Sequence, residues 1–387
     1  MKKDINRITL LFLIFNIQLG VTIWVQKPIS WYNVTTPFVL SVIFVNNRHR
    51  IKIDRYSFVI ITLFAGVTLL VPALEMYNPP ILNFFAHLLA LFTAIGFVIA
   101  LSPEYLWHVF KMYFLVAIPV AFLDVGAFLG MFPVLNTCSS KLPGIEYCGI
   151  GISTGFATHG VVLVSGIIAG ICVIGCKKRG TKSYYATFSI ILLMIMSLIL
   201  SQSRSGIFAL VIGILPFLLY KLKVITRRSA TFAVIVIGLA VTSIFFSLIL
   251  ISFRTPTVIS RIEQIVIAID IIVSHPFSGI GWNEFFPTYY DKILHNTPLN
   301  YFVSNGLFSG LLFLGTILLP IFAYIRFLLS PFNADPFQWF QHTSFGIFSV
   351  VLVERLLAKG TPSVQLLIAS LLFFIILCYR RYSGLNH

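Results

Sequence analysis

The chain has 387 residues, of which 58% are hydrophobic and only 10% are charged, and its mean hydropathy is +0.96. Apolar runs repeatedly reach the roughly 17–25 residues that a membrane-crossing helix needs, so the composition indicates a polytopic helical membrane protein. The net charge of +15 does not indicate a nucleic-acid ligand, because the basic residues lie in short patches between apolar runs, as in loops that orient membrane proteins.

The first apolar run follows a basic start, and no small-residue cleavage site comes after Val25, so we predict an uncleaved first helix rather than a secretory signal. The apolar runs predict about twelve spans, which make an all-α fold with a single transmembrane helical domain over residues 1–387. The predicted spans are 8–25, 32–45, 56–74, 81–101, 106–132, 156–174, 184–200, 206–220, 230–251, 299–329, 337–357 and 362–379.

The distribution of basic residues supports this count. With both termini in the cytoplasm, nineteen of the 27 lysines and arginines lie inside and eight lie outside, as the positive-inside bias requires. The eight outside residues are Lys27, Lys141, Arg204, Arg254, Arg261, Lys292, Arg355 and Lys359. Because arginines are unexpected on the outer face, those that follow or join spans there indicate a binding site.

The first long outside loop, residues 133–154, contains Cys138 and Cys148. In an oxidising compartment two cysteines at this spacing are candidates for a disulfide, and the alternative is two free thiols. The remaining cysteines lie in or beside spans and show no metal-ligand spacing, so we predict neither a metal nor another cofactor.

The second long outside loop, residues 252–298, shows helical apolar periodicity over 259–273, with charged residues between the apolar positions. This segment is too short and too charged to span a membrane, and an amphipathic helix against the membrane face is predicted. Pro276, Gly279 and Gly281 then end the helix.

Three outside residues have side chains suited to group transfer. A guanidinium at Arg204 or Arg261 can make two charge-assisted hydrogen bonds to a phosphate, and a neutral His295 can accept a proton from a hydroxyl. Arginines at span boundaries also anchor to lipid headgroups, and a histidine can simply pack, so both readings remain open. Possible accessory residues are Arg254, Asn296, Glu354 and Arg355.

Other polar or small residues lie in or near spans. Asp124, His159 and Glu354 are among the ionisable side chains there, where burial is costly and function is common. The pairs Gly126/Gly130, Gly166/Gly170 and Gly306/Gly310 have the spacing of closely packed helices.

Several motifs occur in a characteristic order. Ser201-Gln202-Ser203-Arg204-Ser205-Gly206 follows a span, Arg261 opens the loop helix, and His275-Pro276-Phe277-Ser278-Gly279-Ile280-Gly281 ends it. His295-Asn296 then leads into a span with Asn305-Gly306-Leu307-Phe308-Ser309-Gly310. In this order the motifs resemble the O-antigen ligase and O-antigen polymerase superfamily over roughly residues 184–329.

The resemblance implies a multi-pass enzyme of the bacterial inner membrane, active on the periplasmic face in lipopolysaccharide biosynthesis. It implies a metal-independent glycosyltransferase with an undecaprenyl-pyrophosphate-linked glycan as donor. In-line displacement of the pyrophosphate by the acceptor hydroxyl would make the enzyme inverting. Arg204 and Arg261 would bind the pyrophosphate, and His295 would be the catalytic base. The loop at 252–298 would be periplasmic and would carry active-site residues.

Three hypotheses follow for function. A ligase would transfer the glycan to lipid A–core, whereas a polymerase would transfer it to a second lipid-linked glycan with the same donor chemistry. The short 252–298 loop offers little surface for a bulky lipid A–core acceptor. A lipid-glycan flippase or transporter is the less favoured third hypothesis, because the sequence shows no internal repeat.

Overall fold

The computed structural model describes residues 2–19, 22–24, 29–47, 55–74, 81–131, 156–201, 203–226, 255–280, 297–329, 338–357 and 364–383. These residues are almost all helical. The helices are α1 (Lys2–Leu19), α2 (Trp31–Asn47), α3 (Arg55–Leu74), α4 (Ile81–Ala100), α5 (Leu106–Phe128), α6 (Phe156–Gly175), α7 (Lys182–Leu200), α8 (Arg204–Thr226), α9 (Thr255–Ser274), α10 (Thr297–Leu329), α11 (Gln338–Leu357) and α12 (Val364–Ser383). Two short antiparallel strands, β1 (Thr22–Trp24) and β2 (Ile29–Ser30), precede α2, and a 3-10 turn, Pro103–Tyr105, precedes α5.

Eleven of the twelve predicted spans overlap a helix, and the ninth, 230–251, lies outside the described residues. Helix α9 covers the segment 259–273, for which an amphipathic helix was predicted. By length and composition three helices of the described part can cross a membrane: Leu106–Phe128, Lys182–Leu200 and Pro298–Leu328. The helical fold is therefore confirmed, and the number of membrane crossings stays a prediction.

Small residues let the central helices approach closely. A Cβ added at Gly166 of α6 would meet the Cβ of Ala117 on α5, and one at Gly170 would lie 2.9 Å from the ring of Phe114. The predicted packing role of this glycine pair is confirmed, since close backbone approach is what small residues permit between apolar helices. Gly130 behaves differently, because it has a φ of +74° just after α5 and nothing lies within 4 Å of an added Cβ.

Helices α8 and α11 run antiparallel in close contact. The ring of Tyr220, late in α8, lies 4.8 Å from that of His342, early in α11. Further along, a Cβ added at Gly213 would come within 2.6 Å of Val350. The beginning of α8 is therefore at the same end of the bundle as the end of α11.

Helix α10 bends sharply at Gly306, where φ is +77° and ψ is 178°. The rings of Tyr301 and Phe313 stack with centroids 4.1 Å apart, although twelve positions separate them in sequence. A straight helix would put roughly 18 Å between residues so spaced. The predicted tenth span is thus two helical segments folded against each other, and Gly306 and Gly310 lie at a bend rather than on a straight packing face.

The end of α10 lies beside the beginning of α11, because the Tyr324 hydroxyl hydrogen-bonds His342 Nδ1 at 2.7 Å. The opposite end of the bundle, which we call the site end, holds the beginnings of α6 and α8 and the ends of α5, α7 and α11.

Candidate active site

The turn between α7 and α8 presents Arg204 as the first residue of a helix. The backbone N–H of Gly206 donates to Ser203 Oγ at 3.2 Å, and the N–H of Ile207 donates to the Ser203 carbonyl at 2.9 Å. Ser203 is therefore the N-cap of α8, since its hydroxyl satisfies one of the amides that a helix start leaves unpaired. The positive end of the helix dipole adds to the charge at position 204, and this arrangement favours an anion.

Two glycines let α6 and α8 meet behind this turn. A Cβ added at Gly160 would lie 3.1 Å from Ser203 Oγ and 3.2 Å from Gly206 Cα. A Cβ at Gly206 would lie 2.8 Å from both Ser203 Oγ and Leu198 Cδ1. The final glycine of the Ser201–Gly206 motif is therefore required by packing against α6.

A buried polar cluster lies at the same end of the bundle. Ser197 Oγ donates to Asp124 Oδ2 at 2.8 Å, and His159 Nε2 lies 3.9 Å from the same oxygen. All three residues are fully buried. The sequence singled out Asp124 and His159 as ionisable residues near spans but gave no reason to select Ser197, which is one hydroxyl in an apolar helix.

Helix α9 packs against the first segment of α10. Ala268 and Ile271 are buried against Val303 in a small apolar core. The opposite side of α9 exposes Ile262, Ile265, Val266, Ile269 and Val273, with Val273 75% exposed. Arg261 therefore lies on a helix that is fixed to α10 by one apolar face and presents another outward.

The turn after α9 is joined to the bend of α10 through backbone hydrogen bonds. The N–H of Leu307 donates to the Pro276 carbonyl at 2.6 Å, and the N–H of Ile280 donates to the Val303 carbonyl at 3.0 Å. These bonds connect the His275–Gly281 motif to the Asn305–Gly310 motif. The two motifs noticed separately in the sequence thus form one junction.

Both glycines at this junction have positive φ, +64° at Gly279 and +77° at Gly306. A Cβ at Gly279 would lie 2.6 Å from the amide nitrogen of Asn305, and one at Gly306 would lie 2.9 Å from the Pro276 carbonyl oxygen. Only glycine fits, because the conformation and the backbone contact both exclude a side chain.

Glu354 and Arg355 lie near the end of α11, at the site end. Glu354 is only 1% exposed. An Arg355 Nη atom donates to Gln365 Oε1 at 3.4 Å, and Gln365 Nε2 donates to the Ile17 carbonyl at 3.1 Å. Arg355 thus joins α11 to α12 and α1, and its predicted accessory role stays a prediction.

The structure places the backbone of Arg204 and Arg261 on α8 and α9. Five predicted residues lie outside the described ranges: Cys138, Cys148, Arg254, His295 and Asn296. Among the described residues no group of three or more His, Cys, Asp or Glu could hold a metal ion.

The apolar helices and their packing define an integral membrane protein of helical type. Residues 189–314 match the sequence model of the family described as O-antigen ligase. The match confirms the resemblance to the O-antigen ligase and polymerase superfamily, whose members are glycosyltransferase-like enzymes. The matched segment contains Arg204, Arg261, His295 and Asn296, together with the α9–α10 junction. No curated protein matches the chain at a significant level.

Proposed function

We propose that the protein is a membrane glycosyltransferase that moves an undecaprenyl-pyrophosphate-linked glycan onto an acceptor hydroxyl at the periplasmic face of the bacterial inner membrane. The favoured acceptor is lipid A–core, which makes the enzyme an O-antigen ligase in lipopolysaccharide biosynthesis.

The observation that carries this proposal is the capped start of α8. Ser203 caps the helix and Gly206 seats it against α6, so Arg204 occupies the first helical position within the segment that matches the ligase family. A guanidinium and a helix N-terminus at one place suit a pyrophosphate, because both stabilise negative charge and the guanidinium can donate two parallel hydrogen bonds.

The remaining donor contact comes from Arg261. Helix α9 is held against α10 by Ala268 and Ile271 and by the backbone junction at Gly306. The proposal requires α9 to bring Arg261 to the same part of the molecule as Arg204. In this proposal both guanidinium groups stabilise the pyrophosphate as negative charge develops on it.

Glycosyl transfer then needs a base for the acceptor. The acceptor oxygen attacks the anomeric carbon, the bond from that carbon to the pyrophosphate oxygen breaks, and His295 takes the hydroxyl proton. Undecaprenyl pyrophosphate leaves with the bonding electrons, so the new linkage has inverted configuration. No metal takes part, because the two arginines supply the positive charge.

A polymerase is the second candidate, and the short length of the 252–298 loop favours it. The helical part of this loop is packed on α10 through its apolar face. A polymerase acceptor, itself a lipid-linked glycan, needs less protein surface outside the membrane than lipid A–core does.

Reconstitution with both acceptors tests the proposal. Purified protein in lipid vesicles would receive an undecaprenyl-pyrophosphate-linked glycan with either lipid A–core or a second portion of the same donor, and products would be separated by gel electrophoresis. We expect glycan-bearing lipid A–core. Chain lengthening without use of lipid A–core would establish the polymerase instead, and absence of transfer to either acceptor would overturn the proposed function.

A further inference from the structure

The proposed reaction does not use the buried cluster of Asp124, His159 and Ser197. Its members come from three helices, α5, α6 and α7, and each is fully buried. A carboxyl group and an imidazole are costly to bury in an apolar bundle unless polar partners compensate for the lost water. Here the Ser197 hydroxyl supplies a 2.8 Å hydrogen bond and His159 lies 3.9 Å from the same carboxyl oxygen.

The geometry of this cluster does not suit nucleophilic catalysis. In a Ser-His-Asp triad the imidazole lies between the serine and the carboxylate and takes the serine proton. Here the Ser197 hydroxyl donates directly to Asp124, and burial keeps all three side chains away from a substrate. The cluster is therefore suited to holding helices in position.

The cluster lies directly behind the turn that bears Arg204. Ser197 is in the last turn of α7, and its carbonyl accepts the N–H of Ser201 at 2.9 Å. His159 immediately precedes Gly160, whose added Cβ would meet Ser203 Oγ and Gly206 Cα. The cluster thus joins α5 to the residues on both sides of Arg204.

We propose that Asp124, His159 and Ser197 are positioning residues that hold the Ser201–Gly206 turn so that Arg204 meets the donor pyrophosphate. The inference rests on the proposed function, because it requires Arg204 to bind the donor. It assigns these three residues a role in donor affinity that is exerted only through Arg204.

A double-mutant cycle on lipid binding tests this role. The probe is undecaprenyl pyrophosphate, titrated against the purified protein in nanodiscs as wild type, S197A, R204A and the double variant. We expect S197A to weaken binding by roughly three- to tenfold, which corresponds to the net contribution of one ordinary hydrogen bond. The double variant should bind no more weakly than R204A, because residues that act through one contact are not additive.

The matched control is S370A. Ser370 is also a buried helical serine, and its hydroxyl donates to the Leu366 carbonyl at 2.8 Å within α12. The S370A substitution should leave the affinity for undecaprenyl pyrophosphate unchanged. D124N serves as a second variant, since it keeps an acceptor oxygen for Ser197 but removes the charge, and it should also weaken binding only when Arg204 is present.

The outcomes separate the two proposals. If R204A binds the lipid normally, the proposed donor site is wrong and the positioning role falls with it. If R204A weakens binding but S197A and D124N do not, or if their losses add to that of R204A, the donor site stands and the positioning role is wrong.

Discussion

The proposed role of Arg204 depends on the residues around it. Its place at the first position of α8 depends on the Ser203 cap, and the helix start depends on Gly160 and Gly206, which leave room for two backbones to meet. Because the helix N-terminus and the guanidinium are both positive, a phosphate gains from both at once. The flanking small residues of the motif are therefore part of the proposed binding site.

The first prediction concerns the two arginines. Arg204→Lys and Arg261→Lys should each lower the rate of glycan transfer by roughly tenfold or more, because an ammonium keeps the charge but loses the planar two-point donor. The measurement is transfer by purified protein in lipid vesicles. Arg179→Lys, at an exposed position between α6 and α7, is the control and should leave the rate unchanged. Normal rates for both site variants would show that these arginines only anchor the bundle.

The second prediction concerns His295. Loss of a general base typically costs a factor of roughly 10²–10⁴ in rate, so His295→Ala should be nearly inactive and still bind undecaprenyl pyrophosphate. In the wild-type enzyme activity should rise with pH as the imidazole loses its proton, since only the neutral form accepts one. Transfer by His295→Ala at a rate close to that of the wild type would exclude histidine as the base.

At the scale of elements, the junction between α9 and α10 is the feature that joins the parts of the site. A backbone hydrogen bond from Leu307 to Pro276 and two glycines in the left-handed region lock the end of α9 to the bend of α10. The bend therefore fixes the loop helix that carries Arg261. A change that opens the junction should move this helix relative to α8.

The third prediction tests this junction with alanine substitutions. Gly306→Ala and Gly279→Ala should abolish most transfer and lower the unfolding temperature, because a side chain would meet backbone atoms from the facing motif. Gly180→Ala is the matched control. Gly180 also has a positive φ, +84°, but nothing lies within 4 Å of an added Cβ. Gly180→Ala should lower the free energy of unfolding by only roughly 1–3 kcal/mol, which is the cost of backbone strain at a positive φ, and should keep its transfer rate. Equal losses of activity in all three variants would mean that the junction has no special role.

Hydropathy predicted most of the helices, because each apolar run must satisfy its own backbone hydrogen bonds. Hydropathy could not reveal the bend at Gly306, since the run from 299 to 329 is apolar on both sides of it. The contact between the two glycine motifs could not be predicted either, because the hydrogen bond between Leu307 and Pro276 joins backbone atoms. Likewise Ser197 is recognisable only from its partner Asp124, which is distant in sequence.

The whole molecule is predicted to carry its site at one end, with the opposite end toward the cytoplasm. The contacts place the beginning of α8 and the end of α11 together, as the alternating topology requires. We predict this direction of the bundle in the membrane from the excess of basic residues in the inside segments.

The fourth prediction concerns this orientation. A reporter fused at Tyr290 should be active only outside the cytoplasm, whereas Cys176, exposed after α6, should react with a membrane-impermeant maleimide only after cells are permeabilised. A hydrogen bond with Cys172 lowers the pKa of the Cys176 thiol to about 7 and outweighs the opposite effect of burial. At neutral pH a large fraction of Cys176 is therefore thiolate, which is the nucleophilic form. Labelling would use a background without Cys138 and Cys148. Maleimide labelling of Cys176 in intact cells would contradict the predicted topology and place the end of α6 outside the cytoplasm.

The stereochemistry of the product tests the central claim most directly. Purified protein would transfer glycan from a donor of known anomeric configuration in the presence of a metal chelator, and NMR coupling constants would define the new linkage. We expect a product with the opposite anomeric configuration, because in the proposed mechanism His295 activates the acceptor for one in-line displacement of undecaprenyl pyrophosphate. A product that keeps the donor's configuration, or transfer that stops with the chelator, would contradict it.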